Sequence, residues 1–194
     1  MAIIVDKKFT FLHMPKTGGI SSYNLLDKIS DNNFTLPYHT ILDKIQGSED
    51  LPIVIGSRDV DKWHWSYYNY VFHQMSKYPY HIHELFMETP TYEEFLNFSY
   101  NKECDFGKDM NNPNNAYGGF DYITTLYNDW WDYEGNLYQY MEDSLLCGKK
   151  PTYIIRQENF EEDWIKVFEG IGMLTDNIKE EVYNLKQYNK GAYK

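Results

Sequence analysis

The stretch His13-Met14-Pro15-Lys16-Thr17-Gly18-Gly19-Ile20-Ser21-Ser22 gathers the residue types that hold an anion. Gly18 and Gly19 let backbone N–H groups approach a ligand closely, and a helix that opens there offers unpaired N–H groups and the positive end of its dipole. Lys16 adds a mobile charge, and Thr17, Ser21 and Ser22 add hydroxyl donors. The order of these residues excludes one common use. A Walker A loop reads Gly-x-x-x-x-Gly-Lys-[Ser/Thr], with the lysine after the glycines. Here Lys16 precedes Gly18-Gly19, and no earlier glycine lies in the loop. The segment reads as a phosphate loop, but not that of a nucleotide triphosphatase. The bland alternative is a strand-to-helix turn that uses glycine for its geometry alone.

A second constellation is Arg58 with Ser66. Arg58 follows the apolar run Leu51-Pro52-Ile53-Val54-Ile55-Gly56-Ser57, and Ser66 stands eight residues further on, in the second turn of the next helix. An arginine supplies a planar charged fork and a serine one directed donor, a pair suited to a phosphate group. The two converge only if that helix folds back beside the strand. Six histidines are present. A neutral imidazole is the side chain that best removes a hydroxyl proton near neutral pH. His39, in Tyr38-His39-Thr40, stands between the two constellations, and His13 is its rival on a buried strand. Glu158 is either a second base or a helix-start acid favoured by the dipole. His81-x-His83 has a metal-like spacing, but no cysteine or acidic cluster completes a site.

These residues need elements to position them. Phe9 to Met14 has the aromatic and β-branched content of a buried strand, ended by Pro15. Ile20, Tyr23, Leu26 and Ile29 recur at helical spacing. Leu51 to Ser57 is the clearest central strand, and the helix after it carries Trp63 through Gln74. A short helix is expected over 40–45 and a turn over 47–50. Thr91-Tyr92-Glu93-Glu94 has the capping-box pattern and opens a helix through Phe98. Asn101 to Gly119 reads as a long loop, and Phe120 to Met141 as aromatic, acidic helix. Thr152 to Arg156 is a further buried strand, followed by amphipathic helices over 158–170 and 177–187. Alternation of strands with helices predicts an α/β fold with a central, mainly parallel sheet. In such sheets ligands bind at the carboxyl ends of strands, where Lys16, Arg58 and Glu158 all fall.

Composition narrows the classes. The 194 residues suit one domain, 1–194. An aromatic content of 18% argues for a folded chain rather than a disordered one. The net charge of −11, from 18 basic and 29 acidic side chains, argues against nucleic acid or anionic membranes as general partners. A local pocket can still hold a phosphate on an acidic protein. Cys104 and Cys147 stand far apart and read as free thiols. No leader pattern and no membrane-spanning run is visible, so the expectation is a soluble, cytoplasmic chain.

Together the two constellations resemble the sulfotransferases that use 3′-phosphoadenosine 5′-phosphosulfate (PAPS), nearest the carbohydrate type that includes heparan sulfate 2-O-sulfotransferase. Residues 13–22 look like that family's 5′-phosphosulfate loop. Arg58-Asp59-Val60, with Ser66-Tyr67-Tyr68, is similar to its 3′-phosphate motif, although Val60 stands where proline is usual and Lys62 where arginine is common. Tyr38-His39-Thr40-Ile41-Leu42-Asp43 falls where that type carries its catalytic histidine. Arg156-Gln157-Glu158-Asn159-Phe160-Glu161-Glu162-Asp163 is similar to a late strand and acidic helix start. The likeness covers 9–75 and 152–172, and nothing aligns between 100 and 150.

What the resemblance implies is a P-loop-like, three-layer sulfotransferase fold and transfer of a sulfuryl group to an acceptor hydroxyl. Lys16 and His39 would be catalytic. Pro15, Lys16, Thr17, Gly18, Gly19, Ile20, Ser21, Ser22, Arg58 and Ser66 would bind PAPS. The product would be 3′-phosphoadenosine 5′-phosphate (PAP), and no metal would be needed. The acceptor would be a carbohydrate or small molecule, with a neutral one easier to accept than a polyanion. Competing expectations are a phosphate-loop small-molecule kinase and a non-catalytic nucleotide- or sugar-binding module of the same fold.

Overall fold

A computed structural model describes residues 2–30, 33–36, 40–74, 89–102 and 132–185. The chain divides into two compact units: Met1–Asp59 with Leu145–Lys194, and Val60–Ser144.

The first unit is built on a five-stranded sheet in the order β3-β1-β2-β4-β5. Its strands are β1 (Ala2–Val5), β2 (Phe9–Leu12), β3 (Asn33–Leu36), β4 (Ile53–Ser57) and β5 (Tyr153–Arg156). β1 pairs antiparallel with both β2 and β3, whereas β2 with β4 and β4 with β5 are parallel. The sheet is therefore mixed, not mainly parallel. The difference comes from β1 and β3, which the sequence reading did not place. Asp6 and Lys7 both take positive φ, 47° and 56°, and the Lys8 N–H donates to Val5 O at 2.7 Å. Two consecutive left-handed residues turn a strand straight back on itself. Asn-Gly or Asp-Gly usually announces such a turn, and Asp6-Lys7 does not.

Side chains alternate across the sheet. Ile3, Val5, Phe9, Phe11, Val54 and Ile155 share one core. Helices α1 (Gly19–Ile29), α5 (Phe160–Gly170) and α6 (Asp176–Tyr183) contribute to it. On α5 the buried apolar positions are Phe160, Trp164, Val167 and Phe168, a single helical stripe. Trp164 is fully buried and stacks on Phe168 at 5.2 Å, with Phe9 and Phe11 against it. Burial of each such side chain stabilises by about 1.5–3 kcal/mol. The alternate positions Ala2, Ile4, Leu12, Ile53 and Ile55 pack with Leu42, Ile45 and Leu146 in a second core. Leu42 belongs to a 3-10 turn over Leu42–Lys44, the short helix expected there.

In the second unit α2 (Val60–Tyr68) continues as a π-helical turn, Asn69–Gln74. α3 (Tyr92–Asn101) starts at the expected capping box: Thr91 Oγ1 accepts from Glu94 N, and the Glu94 carboxylate accepts from Thr91 N. α4 (Leu137–Leu146) lies at the end of the stretch read as helix from Phe120, and its last two residues count with the first unit. His64 is fully buried between these helices. Its Nδ1–H donates to Val60 O at 2.8 Å, which leaves Nε2 to accept from Ser99 Oγ at 2.6 Å. Ser99 Oγ in turn accepts from Leu137 N at 3.2 Å. No helix among the described residues is long and apolar enough to cross a membrane.

Candidate anion site at the parallel strand ends

β2, β4 and β5 run in the same direction, with Leu12 level with Ile55 and Ser57 level with Arg156. Their carboxyl ends therefore open on one edge of the sheet, the place where α/β sheets bind ligands. His13, Arg58 and Gln157 are the first residues beyond these ends.

The loop from Met14 to Gly18 turns β2 into α1. Lys16 sits at φ 63° and Gly18 at φ 86°. A non-glycine residue held in this left-handed region costs about 1–3 kcal/mol and persists only where its surroundings enforce it. Here every strand end grips a different loop residue. Thr17 is buried, its Oγ1 donates to Met14 O at 2.8 Å, and it lies over Gly56 of β4, where an added Cβ would stand 2.6 Å from that oxygen. Gly18 lies over Gln157 and Phe160 beyond β5, with the Gln157 Cγ 3.8 Å from where its Cβ would be. Gly19 lies under the His13 ring at the end of β2, where a Cβ would come within 1.8 Å of the imidazole.

α1 then starts without a side-chain cap. Gly18 is its N-cap, no acidic residue stands in its first turn, and the Ser22 N–H makes the bond to Gly18 O at 3.1 Å. The orphan N–H groups that every helix start carries thus receive no cap from the N-cap side chain, and they form the positive end of the helix dipole. Of the hydroxyls expected to reach a phosphate, Thr17 directs its proton to Met14 O, and Ser22 Oγ donates to Gly18 O at 3.4 Å. Both hold the loop's own backbone. Ser21 is buried on α1, Ile20 is 55% exposed, and Pro15 and Lys16 are half-buried.

Arg58 reaches the same loop: its Nη1 donates to Lys16 O at 3.2 Å. The next residue is tied across to β5, with Asp59 N donating to Glu158 Oε1 at 3.3 Å. The turn that carries Gln157 and Glu158 is fixed from below by Asp163. This buried carboxylate accepts from Arg156 N at 3.0 Å, from Arg156 Nε at 2.9 Å and from Arg156 Nη2 at 2.9 Å. Burial pushes the Asp163 carboxyl up, but the bonds from Arg156 outweigh it and hold the group below the usual carboxylate range.

The structure thus brings Pro15 to Ser22 together with Arg58 in one place. Ser66 is buried on α2 of the second unit. His39, like His81 and His83, lies outside the described residues. Among those described, no three His, Cys, Asp or Glu side chains are grouped to hold a metal ion. Sequence reasoning missed Gly56, Gln157 and the Arg156–Asp163 pair. Asp163 stands seven positions beyond Arg156, across a strand–helix junction, so no single helical or strand periodicity links them. Searches of protein-family models, of curated proteins and of solved structures return no match to this chain.

Proposed function

We propose that this chain is a sulfotransferase that moves a sulfuryl group from PAPS to an acceptor hydroxyl. The observation that carries this reading is the strained, lysine-first loop at the start of α1, with Arg58 from the next parallel strand bonded to the backbone of Lys16. The uncapped helix start suits the 5′-phosphosulfate. Lys16 stands at the head of that loop, where an ammonium neutralises charge growing on the bridging oxygen as the S–O bond breaks. Sulfuryl transfer, like phosphoryl transfer, is taken here as a loose in-line displacement, so positioning and charge stabilisation supply most of the rate. Arg58 is assigned to the 3′-phosphate, the group that separates PAPS from ordinary adenine nucleotides. The motif likeness alone assigns Ser66 to that phosphate and His39 to the acceptor proton. With a net charge of −11, a neutral sugar or small metabolite suits the chain better as acceptor than a polyanion.

Calorimetric titration with PAP, against AMP and ATP–magnesium, tests the reading. PAP is expected to bind in preference to both, and Arg58→Ala to weaken PAP by roughly tenfold to a hundredfold, the effect of one charged hydrogen-bond partner. A preference for ATP–magnesium would replace the reading with a kinase, and no nucleotide binding would replace it with a non-catalytic module.

A further inference from the structure

Trp65 on α2 is 49% exposed, and Tyr100 on α3 is 45% exposed. Both rings are nevertheless held from one side. Tyr92 meets Trp65 at 88°, with ring centroids 4.9 Å apart, and the buried Tyr68 stacks on Trp65 at 6.1 Å. Tyr100 lies on the fully buried imidazole of His64 at 5.1 Å. Packing thus sets the direction of each ring and leaves part of its surface to solvent. Two rings that touch at a right angle form an inside corner, and Tyr92 is only half-buried.

Carboxylates stand beside these rings. Asp61 is exposed and lies one turn before Trp65 on α2, so the two side chains share a face, with Cβ atoms about 5–6 Å apart. Its charge also reaches α3: burial first, and Asp61 next, push the Tyr92 and Tyr100 phenols up. Glu93, also exposed, lines an open hollow along α3 with Asn97 and Tyr100. Neither Asp61 nor Glu93 has an ion pair among the described residues. An acid in a first turn complements the helix dipole. That accounts for Asp61 and Glu93 but not for the open aromatic surface beside them. An aromatic face carries the negative part of the ring quadrupole and attracts a cation, tryptophan most strongly. Carboxylate and ring face together repel an anion, and among the described residues no three His, Cys, Asp or Glu side chains are grouped to hold a metal ion. We infer that this face of the second unit binds a small organic ammonium ion, with its alkyl groups in the Trp65–Tyr92 corner and its charge against Asp61. Glu93 and the net charge of −11 favour its approach. The inference is independent of the sulfotransferase reading, because no residue of the loop from Met14 to Gly18 takes part.

Saturation-transfer NMR on the full chain tests this with choline and with its neutral isostere, in which carbon replaces the quaternary nitrogen. The two probes share a shape, so only the charge separates them. Wild type is expected to bind choline, and to bind the isostere at least about threefold more weakly. Trp65→Ala should weaken choline by about threefold to tenfold. Asp61→Asn keeps the shape of the face, and it should weaken choline by a similar factor while leaving the isostere unchanged. Glu161→Gln, which removes an equal charge from the first unit, should leave both probes unchanged. If Trp65→Ala does not fold, Asp61→Asn carries the test. Equal binding of the two probes would make the corner a plain apolar patch and overturn the inference. An absence of choline binding would overturn it too, whether or not a lysine-rich peptide binds. Equal losses in Asp61→Asn and Glu161→Gln would also overturn it, because the attraction would then be a diffuse acidic field. Titration with PAP judges the sulfotransferase reading separately, so each can fail alone.

Discussion

Gly56→Ala is a single added methyl group whose effect should run against its usual sign. Gly56 lies in β4 with ordinary strand backbone, and replacing glycine there would normally stabilise by about 0.5–1 kcal/mol, because the unfolded chain loses freedom. At this position the new Cβ would stand 2.6 Å from Thr17 Oγ1. Thr17 cannot retreat and keep its 2.8 Å bond to Met14 O. Both groups are buried, and breaking that bond leaves a hydroxyl and a carbonyl unsatisfied at a cost of about 1–3 kcal/mol. The balance is a destabilisation of about 1–2 kcal/mol, with the loop from Met14 to Gly18 displaced.

Urea denaturation midpoints of wild type, Gly56→Ala, Thr17→Ala and the double variant measure this. Thr17→Ala removes the oxygen that clashes. The nearest remaining atoms, Thr17 Cβ at 3.4 Å and Thr17 O at 3.5 Å, are in ordinary contact. In the Thr17→Ala background the Gly56 methyl should therefore cost nothing, and the cycle should show a coupling of about 1–2 kcal/mol. PAP affinity should fall in Gly56→Ala and not fall further in the double variant. Gly56→Ala as stable as wild type, or strictly additive effects, would refute the claim that β4 sets the position of Thr17.

Three further outcomes follow from the same geometry. Asp163→Asn should destabilise the first unit by about 1–3 kcal/mol, because three bonds from Arg156 converge on the buried carboxylate. Since that carboxyl is held below its usual range, its contribution is complete above about pH 4 and is lost as pH falls through the depressed value, so the gap between variant and wild-type midpoints should narrow as pH falls below about 4. His64 gives the opposite kind of linkage. Burial keeps its imidazole neutral below the usual value of 6.5, against the Val60 carbonyl and Asp61, which favour the charged form. The unfolded chain then binds a proton that the native one does not, and stability should be full above about pH 6.5 and decline as pH falls toward the lowered native value. Comparing denaturation at pH 7.5 and 5.5 for wild type and His64→Gln checks this, and an equal loss in both would refute it.

The parallel half of the sheet and its carboxyl-edge residues were readable from the sequence, because β2, β4 and β5 are short runs rich in aromatic and β-branched residues, each leading into a polar residue at its carboxyl end. β1 and β3 were not. Their pairing depends on a three-residue loop, Asp6 to Lys8, in which the side chains of Asp6 and Lys7 do not advertise positive φ, and on a short strand that follows Asp31-Asn32. The division at residue 59 was also invisible, since no glycine- or proline-rich linker marks it. Within the site, the loop was legible because glycine, lysine and hydroxyl residues cluster in ten positions. The contacts that hold it come from residues about forty and one hundred and forty positions away, and no local pattern reports those distances.

This separation inverts the first impression of which residues do chemistry. Thr17 and Ser22 have the side chains of phosphate ligands, yet their protons go to Met14 O and Gly18 O, so they shape the loop. Gly56, with no side chain, decides where Thr17 sits. Asp163, which reads as one more acid in an acidic helix start, fixes the turn that presses Gln157 against Gly18. On the sulfotransferase reading, the donors left to the 5′-phosphosulfate are then chiefly backbone N–H groups, with Lys16 at the head of the loop. Such donors depend on shape more than on side-chain identity. Substitutions at the three gripping contacts should therefore damage anion binding as much as substitutions among the hydroxyls, and Ser22→Ala, which removes only a 3.4 Å bond to a loop carbonyl, should damage it least.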